Sequence, residues 1–154
     1  MKIRPYQETD RTFILKLSSR FSDFKLMSYR DEEQMKRVQF EIARQSLEPR
    51  STQTEIFVAE ENNGELMGYI ELGSSEDYFT GKVQGYVSSV AVSTQGEGKG
   101  VGKKLMNTAE EWAKDKGFKQ IVLDVFTGNE RAVQFYEHLQ YEAEIVKMVK
   151  QLPE

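Results

Sequence analysis

The chain has 154 residues, 38% of them apolar and 30% charged, with a formal net charge of −4. That balance describes a single globular domain over residues 1–154 rather than a disordered chain, and no apolar run reaches the length of a bilayer span. There is no cysteine and one histidine, His138, which excludes disulfides, thiolate metal centres and a thiol nucleophile, and no metal is expected. A net negative chain lacks the clustered basic surface that nucleic acid requires. The first residues carry no basic-then-apolar leader, so neither membrane nor nucleic acid is an expected partner and a cytoplasmic location is expected.

Residues Lys2 to Tyr6 read as a first strand. Thr9 or Asp10 is placed to cap a helix carrying Phe13, Ile14, Leu17 and Phe21 at helical spacing. Asp31 and Gln34 have capping-box spacing before a second helix, with Met35, Val38 and Ile42 as its apolar stripe and Pro49 as its stop. Thr54 to Glu60 and Leu66 to Leu72 read as a hairpin around Asn62-Asn63-Gly64. Gly73 to Lys82 reads as a polar loop and Gln84 to Val92 as a long strand. A helix follows from Val101 to about Lys116, with Leu105, Ala109, Trp112 and Ala113 inward and Gly117 as its C-terminal cap. Ile121 to Val125, within Lys119 to Val125, is a short strand, and Asn129 caps a helix holding Ala132, Val133, Phe135, Tyr136 and Leu139. Tyr141 to Leu152 reads as a closing strand. Strands in the middle with helices between them make an α+β or mixed α/β chain. It has no internal repeat or domain boundary.

The segment between strand and helix is the informative one: Gly96, Gly98, Gly100 and Gly102 alternate in the turn that opens the helix at Val101. Glycine admits positive φ and close approach of a ligand, and the unpaired amides and dipole of a helix start favour an anion. A phosphate or pyrophosphate is the expected guest. A Walker loop is excluded because Gly102-Lys103 is followed by Lys104 rather than Ser or Thr. A dinucleotide fingerprint belongs after the first strand of a βαβ unit, not late in a chain after a hairpin. A coenzyme A site is the remaining reading.

Glu97-Gly98-Lys99-Gly100-Val101-Gly102, directly after Val90-Ala91-Val92, resembles the pyrophosphate signature of the GNAT acyltransferase superfamily. Asn129-x-x-Ala132-x-x-Phe135-Tyr136 resembles that family's second signature. Two departures stand out. Glu97 takes the place of the usual Arg or Gln, and Gln140-Tyr141 replaces Gly-Phe. The resemblance covers Thr54 to Leu152 well and the first 50 residues only by element order. It implies a central, mostly antiparallel mixed sheet flanked by helices, with Gln84–Val92 and Lys119–Val125 parallel and splayed at their C-terminal ends. Read without function, the same residues make a tight turn, a helix cap and an aromatic core; His138 then lies on the surface.

The resemblance further implies acetyl-CoA as cosubstrate and direct attack of an amine on its thioester. Val90, Ala91, Val92, Glu97, Gly98, Lys99, Gly100, Val101, Gly102, Lys103, Asn129 and Tyr136 would hold the coenzyme. Tyr136 takes the family's place for the acid that protonates the thiolate, and a strand bulge near Ser88-Ser89 would leave amides free. Many relatives carry a glutamate base on the central strand, but no carboxylate lies between Gln84 and Val92. Glu71 is the first candidate instead, with Glu76 and Asp77 behind it and Tyr86 or Ser88 able to anchor a water. Glu97 is expected to turn outward, toward Lys99, Lys103 or Lys104. The function implied is an N-acetyltransferase acting on a primary amine of a small molecule or protein. An N-terminal α-amine is a second acceptor, and a coenzyme-binding regulatory module without catalysis is the alternative. The short chain after Tyr141 leaves little material for a lid, so a second subunit of a homodimer is a candidate to complete the pocket.

Overall fold

A computed structural model describes residues 1–48 and 53–154. In chain order the elements are β1 (Lys2–Pro5), α1 (Arg11–Leu17), α2 (Glu32–Ser46), β2 (Glu55–Glu60), β3 (Leu66–Glu76), β4 (Val83–Val92), α3 (Val101–Asp115), β5 (Ile121–Leu123) and α4 (Glu130–His138), with 3-10 turns before and after α1 and after β4. The strands form one sheet in the order β1-β2-β3-β4-β5. The first three pairings are antiparallel and β4–β5 is parallel, so the expected mixed sheet is present.

Alternation along β3, interrupted once by a bulge at Met67, divides the core in two. Met67, Ile70 and Leu72 join Val87, Val101, Leu105, Met106 and Ala109 on the α3 side. Tyr69 joins Ile14, Leu17, Leu47, Val58 and Ala91 on the α1–α2 side. α3 is seated by its buried stripe and ends as expected: Gly117 has φ 83 and Phe118 N–H donates to Ala113 C=O at 2.9 Å. Trp112 packs at the margin of this core rather than inside it, its indole N–H on Glu55.

Several sequence expectations are corrected. β3 runs on to Glu76, so the first four residues of the expected Gly73–Lys82 loop are strand, paired through Gly73↔Tyr86 to Glu76↔Val83. Gly-Ser-Ser-Glu has poor strand propensity; the partner strand supplies what propensity lacks. β5 is only three residues long, and the chain leaves it at Asp124. In α2, Asp31 caps as expected by accepting from Gln34 N–H, but Val38 and Ile42 are 52% and 55% exposed. The inward face is instead Ala43 and polar Gln39, whose amide donates to Phe21 C=O and accepts from Ser22. Pro49 lies outside the described residues. Asp10 starts α1 but does not cap it: its carboxylate takes a two-pronged pair from Arg4, at 2.8 and 2.9 Å, and the Gln7 N–H. The expected strand from Tyr141 to Leu152 does not form, and residues 142–154 have no regular secondary structure and are exposed throughout.

α4 ends in a Schellman arrangement. Tyr141 N–H donates to Tyr136 C=O at 3.0 Å and Gln140 N–H to Glu137 C=O at 2.9 Å. Gln140 sits at φ 70, the only non-glycine residue in the left-handed region among those described. The departure Gln140-Tyr141 therefore keeps the backbone turn that glycine ordinarily makes.

Candidate active site

β4 and β5 share only three rungs, Gly85↔Ile121, Tyr86↔Val122 and Val87↔Leu123. Beyond them β4 continues to Val92 without β5, which is the expected splay. A bulge falls at Ser88, because Glu71 faces Ser89 while Leu72 faces Val87. Ser93 N–H donates to Met67 C=O at 2.8 Å. Counting back along β4, the backbone of Ala91 also faces β3, while the N–H and C=O of Val92 and Val90 turn to the open side. A side-chain bond also spans this seam: the Tyr86 hydroxyl donates to Asp124 at 2.8 Å. Burial first, and then that carboxylate, push the phenol up to about 12.

The glycine segment lies at the same end of β4. Ser93 Oγ accepts from Gly96 N–H at 3.2 Å and closes a short turn. Gly98 and Gly100 then take φ 74 and 75, and a Cβ built on either meets nothing within 4 Å. The first bond into α3 is Lys104 N–H to Gly100 C=O, so the amides of Val101, Gly102 and Lys103 are left free at the helix start. Gly102 serves packing instead: a Cβ there would stand 3.1 Å from Phe135 Cζ, so the two signature segments touch at this point.

Glu97 does not pair with a lysine. Its carboxylate accepts from Arg20, on the 3-10 turn after α1, and lies 3.5 Å from Arg131 of α4. The hydrogen bond from Arg20 holds it below the usual carboxylate range against burial, with Arg131 adding to the effect. Lys99, Lys103 and Lys104 are exposed and take no ion pair among the described residues. Sequence reasoning missed both arginines, because neither lies near Glu97 in the chain.

Asn129 caps α4 by accepting from Ala132 N–H at 3.3 Å. Tyr136 packs from α4 onto the α3-side core, its ring 5.3 Å from Phe135 and 6.0 Å from Tyr141. Its hydroxyl has no hydrogen bond among the described residues, and burial raises its pKa. Glu71 is 7% exposed and belongs to the opposite, α1–α2 face. Tyr69 lies two residues before it on that face, and Ser89 is across the strand pair. Burial first, then the Glu71 charge, raise the Tyr69 phenol, with Ser89 opposing. Tyr136 and Glu71 therefore lie on opposite faces of the sheet. Glu76 and Asp77 lie at the far end of the β3–β4 hairpin, about 17 Å down the strand from Glu71, and Asp77 is occupied in capping Thr80. His138 is exposed, with Nδ1 2.7 Å from Gln134 C=O.

Comparison with known proteins agrees with this geometry. The uncharacterized N-acetyltransferase YdgE of Bacillus subtilis is 30% identical over 91 residues, 59% of this chain and 57% of that protein. N-alpha-acetyltransferase 30 of Schizosaccharomyces pombe is 33% identical over 57 residues, 37% of this chain and 38% of that protein. The chain thus spans less than two thirds of the length of the curated relatives it matches. A Pyrococcus furiosus protein assigned as an acetyl transferase superposes with TM-score 0.78 at 28% identity, covering 98% of this chain and 99% of its own. The model of the Acetyltransferase (GNAT) family matches residues 16–141, and with the splayed sheet and glycine turn in place, the chain belongs to that family.

Proposed function

We propose that the chain transfers an acetyl group from acetyl-CoA to a primary amine by direct attack in a ternary complex. The observation that carries this reading is the coincidence, at one end of β4, of a parted strand pair and an anion-binding helix start. Acetyl-CoA supplies the activated thioester. The cradle suits its pyrophosphate: two left-handed glycines with open space above them precede a 15-residue helix whose first amides are free. Glu97, the one carboxylate in the turn, is already neutralised by arginines.

In this reading Gly98, Gly100, Val101, Gly102 and Lys103 hold the pyrophosphate through backbone N–H groups. Val90 and Val92 present free backbone to the pantetheine arm and to the thioester oxygen, where negative charge develops. Tyr136 keeps its proton because burial raises its pKa, and it donates that proton to the departing sulfur. Asn129 and the Phe135–Gly102 contact position α4 and thereby that hydroxyl. Glu71, with Tyr69 and Ser89 beside it, takes the proton of the attacking amine on the opposite face, directly or through water. The likeness to an N-alpha-acetyltransferase over 57 residues is a reason to include protein N-terminal amines among the acceptors tried.

The test is thiol release from acetyl-CoA with a panel of polyamines, aminoglycosides and peptides. Turnover with one class of amine is expected. Thermal stabilisation by coenzyme A with no turnover on any amine would replace the enzyme with a binding module. No stabilisation and no turnover would reject both.

A further inference from the structure

α4 touches the glycine segment at both of its ends. Phe135 packs on Gly102, where a Cβ would stand 3.1 Å from the ring. Arg131 lies one turn earlier on the same side of α4, and its guanidinium is 3.5 Å from the Glu97 carboxylate. Between these two contacts lie Gly98 and Gly100, the positions with open space above them. Arg131 is thus held beside the cradle.

The two arginines on Glu97 are held differently. Arg20 is partly buried and donates a hydrogen bond to Glu97 Oε1. Its neighbours fix its turn: Phe21 packs on Tyr69, and Ser22 is buried. Arg131 is 77% exposed and approaches the same Oε1 without a hydrogen bond among the described residues. An ion pair that long and that exposed holds weakly. Moving Arg131 off Glu97 costs little, whereas moving Arg20 disturbs a packed turn.

Arg131 also stands where helix energetics disfavour it. It lies in the first turn of α4, at the positive end of the helix dipole, where a cation is destabilising. Glu130 beside it and Glu97 across from it offset part of this. Lys99, Lys103 and Lys104 add positive charge around the same turn and take no ion pair among the described residues. In a chain of net charge −4, five basic side chains here surround two carboxylates. A cation kept against the helix dipole, beside other unpaired cations, marks a place for an anion larger than one carboxylate.

We infer that Arg131 is a ligand of a coenzyme phosphate, resting on Glu97 in the free chain and passing to the phosphate when the coenzyme binds. Arg20 stays on Glu97. This inference rests on the acetyl-CoA reading above and adds a side chain to its backbone cradle. A guanidinium can give a phosphate two parallel N–H bonds, a capacity that the contact with Glu97 leaves unused.

The test is calorimetric titration of coenzyme A into the wild-type chain, Arg131→Ala, Glu97→Gln and the double variant. Arg131→Ala should weaken binding about ten-fold, as loss of a charge-assisted hydrogen bond does. The melting temperature of the free variant should hold or rise, because a cation leaves the helix start. In the Glu97→Gln background the loss on Arg131→Ala should be at least as large, because the arginine is then free for the phosphate. An arginine that only neutralises Glu97 would show no loss there. Repeating the titrations with dephospho-coenzyme A locates the partner: a loss that disappears assigns the 3′-phosphate, and a loss that persists assigns the pyrophosphate. Unchanged affinity in Arg131→Ala, or a loss that Glu97→Gln cancels, would overturn the inference and leave the acetyl-CoA reading standing. No binding by the wild-type chain would overturn that reading and the inference with it.

Discussion

The guanidinium of Arg20 donates to the carboxylate of Glu97, a residue 77 positions further along the chain. Glu97 thereby ties the 3-10 turn after α1 to the turn that opens α3, and through Arg131 it also reaches α4. The residue that looked like an electrostatic defect beside a pyrophosphate is the hub of three elements.

Replacing Glu97 with Gln removes one negative charge and releases two arginines beside the cradle. Acetyl-CoA should bind more tightly at low ionic strength, by about 1 kcal/mol or roughly five-fold, and the gain should shrink as salt is added. Calorimetric titration at two salt concentrations measures this. Weaker binding in the variant would mean that holding the turn in place outweighs the charge.

Gly100→Val is expected to abolish coenzyme binding while the chain still folds. A Cβ at this position meets nothing within 4 Å in the free protein, so the folding cost comes mainly from φ 75, about 1–2 kcal/mol. A folded variant with unchanged affinity would remove the pyrophosphate from this turn.

Tyr136→Phe should lower kcat on the order of 10²-fold and leave the coenzyme Kd nearly unchanged. Because burial raises the phenol pKa, wild-type activity should persist into pH values where a free tyrosine begins to ionise. A change in kcat of less than about two-fold is too small for a general acid and would assign the proton to another group.

Asp10 governs acid stability. Burial raises its pKa, but the hydrogen bonds from Arg4 and Gln7 N–H outweigh burial and leave it below the ordinary 3.8. Its contribution is complete above that unfolded value and is lost as pH falls through the lower folded value. Asp10→Ala should cost about 1–3 kcal/mol at neutral pH, because it removes the two-pronged bond from Arg4 and the bond from Gln7 N–H while Arg4 keeps its pair with Glu60. Urea titrations at neutral pH and in acid should show that cost shrinking in acid; a cost independent of pH would assign it to packing.

Gln140→Gly tests the end of α4. Relief of the left-handed φ, less the extra freedom of glycine in the unfolded chain, should stabilise by about 0.5–1 kcal/mol. A lower denaturation midpoint would show that the glutamine side chain makes a compensating contact.

The glycine turn and the two helices beside it were legible in the sequence because their signals are local: alternating glycines, a helix stripe starting at Val101 and a cap at Asn129. The sheet order followed from turn chemistry at Gly64 and from the family resemblance. What escaped depends on distant partners. Nothing near Glu97 announces Arg20. Gly73 to Glu76 became strand only because β4 lies beside them, and Val38 with Ile42 suggested an inner face that Gln39 and Ala43 occupy. The expected last strand did not form even though apolar residues recur through residues 142–152 and β5 keeps an open edge: a strand pattern in the sequence does not by itself supply the pairing.

The parting of β4 from β5 leaves Val90 and Val92 with backbone groups that a complete sheet would have joined. On the proposed function, the coenzyme takes the position of an absent strand, and binding it finishes the fold. A ligand that binds only the folded state adds about 2.7 kcal/mol when present at a hundred times its Kd. Resistance to proteolysis would then rise and fall with coenzyme supply, and the lifetime of this chain in a cell would report how well fed that cell is.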